Sequence, residues 1–429
     1  MRSKILAISV ALLLPAIVAA GAYYGTVITP ILLIAAICII TVLVATGKIS
    51  GRLLYLYLFA ISLSLVWQTT MMGVDVVGSD IHDEYYFAQK NLHEVWDLTY
   101  PNSSNTSIVI GLFAPWISRL LMVDMVWVFK VILPLFLAGV PIVLFATFKK
   151  MFGEKRAYFA TLFLVIIPVY SMEIAQIAKS MVAELFFALM FYAIISDWKW
   201  QYKLLGIGGS LVMQILCHYT IGILGICFLA AMLLFRLVSI PIKWRLLATR
   251  KVPVFVLLGC LVLGAGVFWG YHGYAANASA VRSVTEVAVG LDHSISSSND
   301  QAQGGNDQSQ REKISDNVDR MSYMVKLGTG FDWDNVSIGG KVFRAIQYIT
   351  QLIILIGAGW LIFRYRKYNI SVEYIGLIIA SGVLLIGCIL IPSVSSIINM
   401  SRFYHICLFF IAPLFVLGCE AISSVRVRV

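Results

Sequence analysis

Gly78-Ser79-Asp80-Ile81-His82-Asp83-Glu84 places three carboxylates and a histidine directly after the apolar run 53–72. Acids at i, i+3 and i+4 of a helix share one face about one turn deep. Three anions held so close repel one another, which raises at least one pKa or recruits a cation, and either outcome suits an enzyme at a membrane surface. The plainer reading is a solvated helix start whose acids are favoured by the macrodipole. His82 points elsewhere. A second group, Ser401-Arg402-Phe403-Tyr404-His405, offers a guanidinium suited to planar, bidentate recognition of phosphate, with a phenol and an imidazole beside it. Its plainer reading is a snorkelling interfacial arginine. His218-Tyr219 interrupts an apolar stretch and is out of place against lipid. Lys179 and Glu184 bracket the start of another apolar run, where a local ion pair is the plainest expectation.

These residues must be positioned by membrane-spanning helices. The 429-residue chain is 60% hydrophobic and only 13% charged, with a mean hydropathy of +0.88, whereas soluble domains carry about a quarter charged residues. A crossing needs about 20 mostly apolar residues. About twelve such runs are predicted, over 5–24, 27–46, 53–72, 126–147, 157–171, 181–196, 204–217, 219–235, 252–271, 342–363, 373–391 and 405–424, of which 157–171 and 204–217 are short. The fold class expected is therefore an all-α polytopic membrane protein. With the N-terminus in the cytoplasm, most of the 32 basic residues fall on one side, so the net charge of +10 reflects topology and gives no reason to expect nucleic acid binding. An even number of crossings returns the C-terminus to the cytoplasm. The first run is read as a retained span rather than a cleaved signal. Seven cysteines lie in or at the ends of spans without CxxC spacing, which suggests neither a zinc site nor a disulfide framework.

Two outer loops are long. The first, about 73–125, holds the acids, an aromatic segment and a stretch, 107–122, suited to lie in the interface plane with Trp116 at the boundary and Arg119 its one charge. The second, 272–341, contains the tract 294–310, almost wholly Ser, Asn, Asp, Gln and Gly and expected to be mobile, between helix-like stretches 277–291 and 312–327. Glycosylation sequons at Asn102, Asn105, Asn277, Asn335 and Asn399 fall outside in this topology, and that at Asn369 inside. The expected division is 1–50, two N-terminal spans; 51–271, a seven-span module; 272–341, the outer loop; and 342–429, three further spans.

An acidic motif at the outer end of a span, followed by a long loop with an interfacial helix, resembles the GT-C superfamily of membrane glycosyltransferases, which take sugars from polyprenyl-phosphate carriers. Counting from the 53–72 span, the order of features is similar: Asp80 to Glu84 in the first outer loop, Ser171-Met172-Glu173 in the next, and a large loop after the seventh span. GSDIHDEYYFAQ and SRFYHICLFFIAPLF also resemble a largely archaeal family of uncharacterised polytopic membrane proteins within that superfamily. The two N-terminal spans and the lack of a clean DxD depart from the pattern.

The resemblance implies a transferase acting on the outer face of the plasma membrane, with a polyprenyl-phosphate sugar as donor, a glycan, lipid or protein as acceptor, and membrane lipids around it. Asp80 is then the base that activates the acceptor, with Asp83 and Glu84 positioning it. Arg402, Tyr404, His405, His218 and Lys179 become contacts for the donor phosphate. Asp80, Glu84 and Glu173 become ligands of a divalent cation, Mg or Mn. Two other classes remain open: an envelope polysaccharide ligase or polymerase, which needs no early acidic cluster, and a transporter or flippase of an amphiphilic solute, which would place polar features near the midplane of repeated halves.

Overall fold

The computed structural model describes residues 2–100, 102–238, 251–275, 337–390 and 400–426. The tract 294–310, the stretches 277–291 and 312–327, and Asn277, Asn335 and Asn399 lie outside the described residues. What is described is helical, without strands: α1 (Arg2–Tyr23), α2 (Ile28–Ala45), α3 (Arg52–Thr70), α4 (Asp80–His93), α5 (Ala114–Leu121), α6 (Met125–Phe152), α7 (Glu154–Ile166), α8 (Ala178–Ile195), α9 (Trp200–Cys217), α10 (Tyr219–Val238), α11 (Val254–Phe268), α12 (Ile338–Arg364), α13 (Val372–Leu390) and α14 (Met400–Arg426).

Every apolar run predicted from sequence carries a helix, but fewer are shown as crossings than the expected twelve. Among the described residues, eight are long and apolar enough to cross a bilayer, or nine if α7 and the turn Val169–Gln176, bent by 53°, count as one broken span. The break falls at Ile167-Pro168, where proline cannot continue the preceding helix without losing a hydrogen bond. The sequence 200–217 forms α9, yet Trp200, Gln201, Tyr202, Lys203 and Gln214 make it too polar to qualify by composition alone.

The described chain forms two compact units, Met1–Ser279 with Tyr365–Gly376, and Ala280–Arg364 with Leu377–Val429. In the first, α6 packs between α3 and α8, α8 packs on α9, and α9 contacts α10 and α11. Phe145, Phe148, Phe187 and Phe191 fill its interior, with the rings of Phe148 and Phe191 6.2 Å apart, edge to face. Lipid tails are as apolar as these side chains, so close packing and buried polar bonds, rather than escape from water, hold the helices together.

One end of this unit gathers the basic loops. Lys149 Nζ meets Glu154 Oε2 at 2.5 Å, and Glu154 Oε1 accepts the Gly51 amide at 2.7 Å. Lys203 Nζ donates to the carbonyls of Ala193 and Ile194 at the end of α8, at 3.3 and 2.9 Å, where a helix end favours a cation. The buried Glu373 accepts the amides of Lys251 and Val252 and faces Arg236 at 3.4 Å, which anchors the start of α11. The opposite end carries α4.

There Lys130 makes the decisive link. Buried near the start of α6, its ammonium donates to the carbonyls of Met72, Gly73 and Asp75 at 3.0, 2.9 and 2.6 Å, using all three of its hydrogens. These carbonyls follow α3, so Lys130 fixes the path from α3 into the acidic motif. Lys130→Met should lower stability by about 3 kcal/mol by stranding these acceptors, read as a lower unfolding midpoint in detergent; an unchanged midpoint would remove this role.

Candidate functional site

The approach to α4 turns on Gly78, whose φ of +131° is a conformation that side-chain-bearing residues avoid. A Cβ there would also sit 2.6 Å from the Cβ of Gln176, so the glycine lets the turn 174–176 close against the acidic motif. Asp80 opens the helix, half-buried, with the Ser79 hydroxyl donating to Oδ1 at 3.3 Å. Four residues on, Glu84 is fully buried, whereas His82 and Asp83 are exposed. The face turned inward is Ile81, Glu84, Phe87, Ala88 and Asn91. At 100° per residue Asp83 stands well round the helix from that face, so the expected triad divides into an inward, an edge and an outward carboxylate.

Glu84 is a clamp between α4 and α8. Its Oε2 accepts the amide of Ala178, the first residue of α8, at 2.6 Å, and Lys179 Nζ lies 3.4 Å from Oε1. Lys179 in turn donates to Ser104 Oγ at 3.2 Å. The acid therefore sits where the helix end favours negative charge, beside a cation, and still its pKa is raised, because complete burial outweighs both attractions. The shift foreseen in the acidic motif thus arises from burial rather than from repulsion among the acids. Lys179, expected to meet Glu184 locally, pairs with a carboxylate 95 positions earlier in the chain. Glu184, five residues along α8, falls on another face and lies fully buried near Tyr170.

Around this clamp the stretch 104–107 is buried although wholly polar, with Asn102 and Ser103 half-buried before it. The Asn102 side chain accepts the amides of Ser104 and Asn105 at 2.7 and 3.3 Å. Asn105 donates to the Asp97 carbonyl at 2.6 Å and accepts from Asn91 at 3.1 Å. The Ser107 hydroxyl donates to the Cys217 carbonyl at 2.6 Å, and Tyr271 donates to the Thr106 carbonyl at 2.8 Å. Buried polar groups must be bonded, and these are. The sequon at Asn105 is consequently closed to glycosylation in the folded chain, since its amide is 2% exposed and committed on both atoms.

Beside the polar loop runs the expected interfacial segment, a π-helical turn over Val109–Phe113 leading into α5. Trp116, Leu120 and Leu121 are exposed on it, and Arg119 donates to the Leu92 carbonyl at the end of α4. Between this segment and the bundle lies a cavity of about 440 Å³, lined among others by Ile108, Trp116, Phe136, Val182, Met213 and Cys217. Its walls are almost wholly apolar. Val182 lies one turn along α8 from Lys179, and His218 follows Cys217, half-buried with its ring 5.7 Å from that of Tyr219. The end of the bundle that carries the acids thus holds an apolar chamber one helical turn from the Glu84–Lys179 pair.

The first unit contains Asp80, Asp83, Glu84, Glu173, Lys179 and His218, and the second contains Arg402, Tyr404 and His405. Among the described residues no three His, Cys, Asp or Glu gather closely enough to hold a metal ion. Asp80, Glu84 and Glu173 therefore do not fit the expected Mg or Mn site, for Glu84 is turned inward onto Ala178 and Lys179. Two groups were overlooked in the sequence. Lys130 was findable as a lone charge inside an apolar run; the burial of 104–107 had no signal, because a string of Asn, Ser and Thr reads as an ordinary exposed loop.

No curated protein and no solved structure matches the chain. Residues 333–429, which include the SRFYH sequence, match a family described as "Predicted membrane protein (DUF2206)", a description that names no activity and agrees with the apolar helices in making this an integral membrane protein.

Proposed function

We propose that the chain is a GT-C-like glycosyltransferase that moves a sugar from a polyprenyl-phosphate donor to an acceptor on the outer face of the plasma membrane. The observation that carries the reading is the apolar cavity of about 440 Å³ at the acidic end of the bundle. Its volume is within the range of ordinary ligand sites, and its lining suits a hydrocarbon chain rather than a polar solute. In this reading the lipid chain lies between the interfacial segment and α8, with Lys179 and His218 near its phosphate. Asp80 takes the proton of an acceptor hydroxyl as that oxygen bonds to the anomeric carbon. The bond from that carbon to the phosphate oxygen breaks, and the lipid phosphate leaves with the electron pair. Glu84 holds α4 in place and does not touch the reactants.

Val182→Trp tests the cavity. In proteoliposomes it should slow transfer from a long-chain donor at least about tenfold, the equivalent of roughly 1.4 kcal/mol, and spare a donor with a short chain. Equal rates with both donors would remove the cavity from the account. Transport is the second reading, favoured by the 53° break between α7 and the following turn, since broken spans often line solute sites. Uptake of a solute by vesicles without any sugar transfer would establish it. An envelope ligase or polymerase would transfer glycan with Asp80 replaced.

A further inference from the structure

The turn 196–199 between α8 and α9 stands at the basic end of the first unit and collects lysines from separate parts of the chain. Lys150, from the last turn of α6, reaches the Ser196 hydroxyl at 3.2 Å and lies over the Tyr192 ring, 4.4 Å from its centre. Lys251, just before α11, pairs with Asp197. Lys203, buried in the first turn of α9, is held by the two carbonyls near the end of α8, and the charges of Lys150 and Lys251 both reach it. Lys199 is exposed on the turn itself. The hydrogen bond from Lys251, with the charges of Lys251, Lys150 and Lys203, holds the Asp197 carboxyl below its ordinary pKa. Among the described residues Glu373 is the other acid whose charge reaches Lys203, and it is committed to Arg236 and to the amides of Lys251 and Val252. Lys150, Lys199, Lys203 and Lys251 therefore share Asp197, and the turn keeps a surplus of positive charge.

An apolar strip adjoins this charge. Trp198 lies edge-on to Tyr192 at 5.7 Å and rests on Gly206, where a Cβ would sit 2.9 Å from its ring. Trp200 lies edge-on to Phe255 at 5.4 Å. Both indoles remain exposed, as do Tyr202 and Leu205, three residues apart on α9 and so on one face. A charge bias across a membrane scatters lysines over every loop of one side; here lysines from α6, the α8–α9 turn and the approach to α11 converge. Charge alone would suit any soluble anion. Charge at the edge of an exposed aromatic and aliphatic strip suits an amphiphile, whose headgroup meets the lysines while its chains run along the helix.

We propose that this turn is a binding site for an anionic phospholipid, its phosphodiester headgroup taken by Lys150, Lys199 and Lys251 and its acyl chains lying against Trp200, Tyr202 and Leu205. The site is at the end of the first unit away from the acidic motif, and it stands whether or not sugar transfer occurs there.

Binding can be read without turnover. The full chain is placed in phosphatidylcholine nanodiscs doped with phosphatidylglycerol, and the lipid it retains is identified by native mass spectrometry. Phosphatidylglycerol should be retained in preference to phosphatidylcholine, and added inorganic phosphate should not displace it. Lys150→Gln and Lys199→Gln should each weaken retention about fivefold, the equivalent of about 1 kcal/mol for a lysine at an anionic surface. Lys48→Gln combined with Arg52→Gln, which removes exposed charges elsewhere at the same end, should leave retention unchanged. Should Lys150→Gln fail to fold, Lys199→Gln, at an exposed position, carries the comparison. Equal retention of the two lipids, unchanged retention in Lys199→Gln, or an equal loss in the Lys48 and Arg52 pair would overturn the proposal; displacement by inorganic phosphate or by polyglutamate would overturn the assignment to a lipid.

Discussion

Asp80→Asn should reduce sugar transfer by about a hundred- to ten-thousandfold, the usual contribution of a general base, while leaving insertion and folding intact. The substitution keeps the shape of a half-buried side chain at the first turn of α4 and retains an oxygen for the Ser79 hydroxyl. It removes only the capacity to accept a proton. Asp83→Asn is the matched control: one turn on and exposed, it should change the rate little. The comparison is made in proteoliposomes supplied with lipid-linked donor and acceptor. Equal losses at both positions would mean that the cluster acts through its total charge and that Asp80 is not the base.

Glu84→Ala should destabilise the first unit by about 3–5 kcal/mol, because it leaves Lys179 buried without its carboxylate and strands the Ala178 amide. Replacing both partners at once, Glu84→Leu with Lys179→Met, should recover most of that loss, since an apolar pair of similar volume avoids the cost of burying charge. The pH dependence has a definite sign. Burial raises the Glu84 pKa above its ordinary 4.5, so the folded chain holds this proton more tightly than the unfolded chain does. Its contribution to stability is then complete below about 4.5 and is lost as pH rises through the folded value. Glu84→Gln, which stays neutral, should flatten that decline. Unfolding midpoints from acid to neutral pH provide the measurement; a variant with the same slope as the parent would show that Glu84 does not titrate in this way.

The helices were legible because a bilayer demands long apolar runs whose backbone groups are satisfied internally. Composition alone does not qualify a helix as a crossing where its polar residues are satisfied by the protein. Lys203 rests on the carbonyls of Ala193 and Ile194, and Gln214 is buried against the Phe186 carbonyl, so α9 is more polar in composition than in its exposed surface. The acidic motif was legible as a cluster, but its inward face was not. Which of three acids turns into the bundle depends on the residues of α4 that pack, and on Ala178 and Lys179 arriving from far along the chain. Helical spacing carries information over a few residues, whereas the clamp is a contact across some 95 positions. The polar stretch 104–107 shows the same limit, for its composition fits exposure and its burial depends on partners such as Asn91, Cys217 and Tyr271.

The most direct measurement is transfer of radiolabelled sugar from a polyprenyl-phosphate donor to acceptor by the purified chain in sealed vesicles, with Asp80→Asn alongside. A labelled product should form only with the lipid-linked donor and disappear in the variant. Label accumulating inside the vesicles with no product, or product formed equally well without the Asp80 carboxylate, would contradict it.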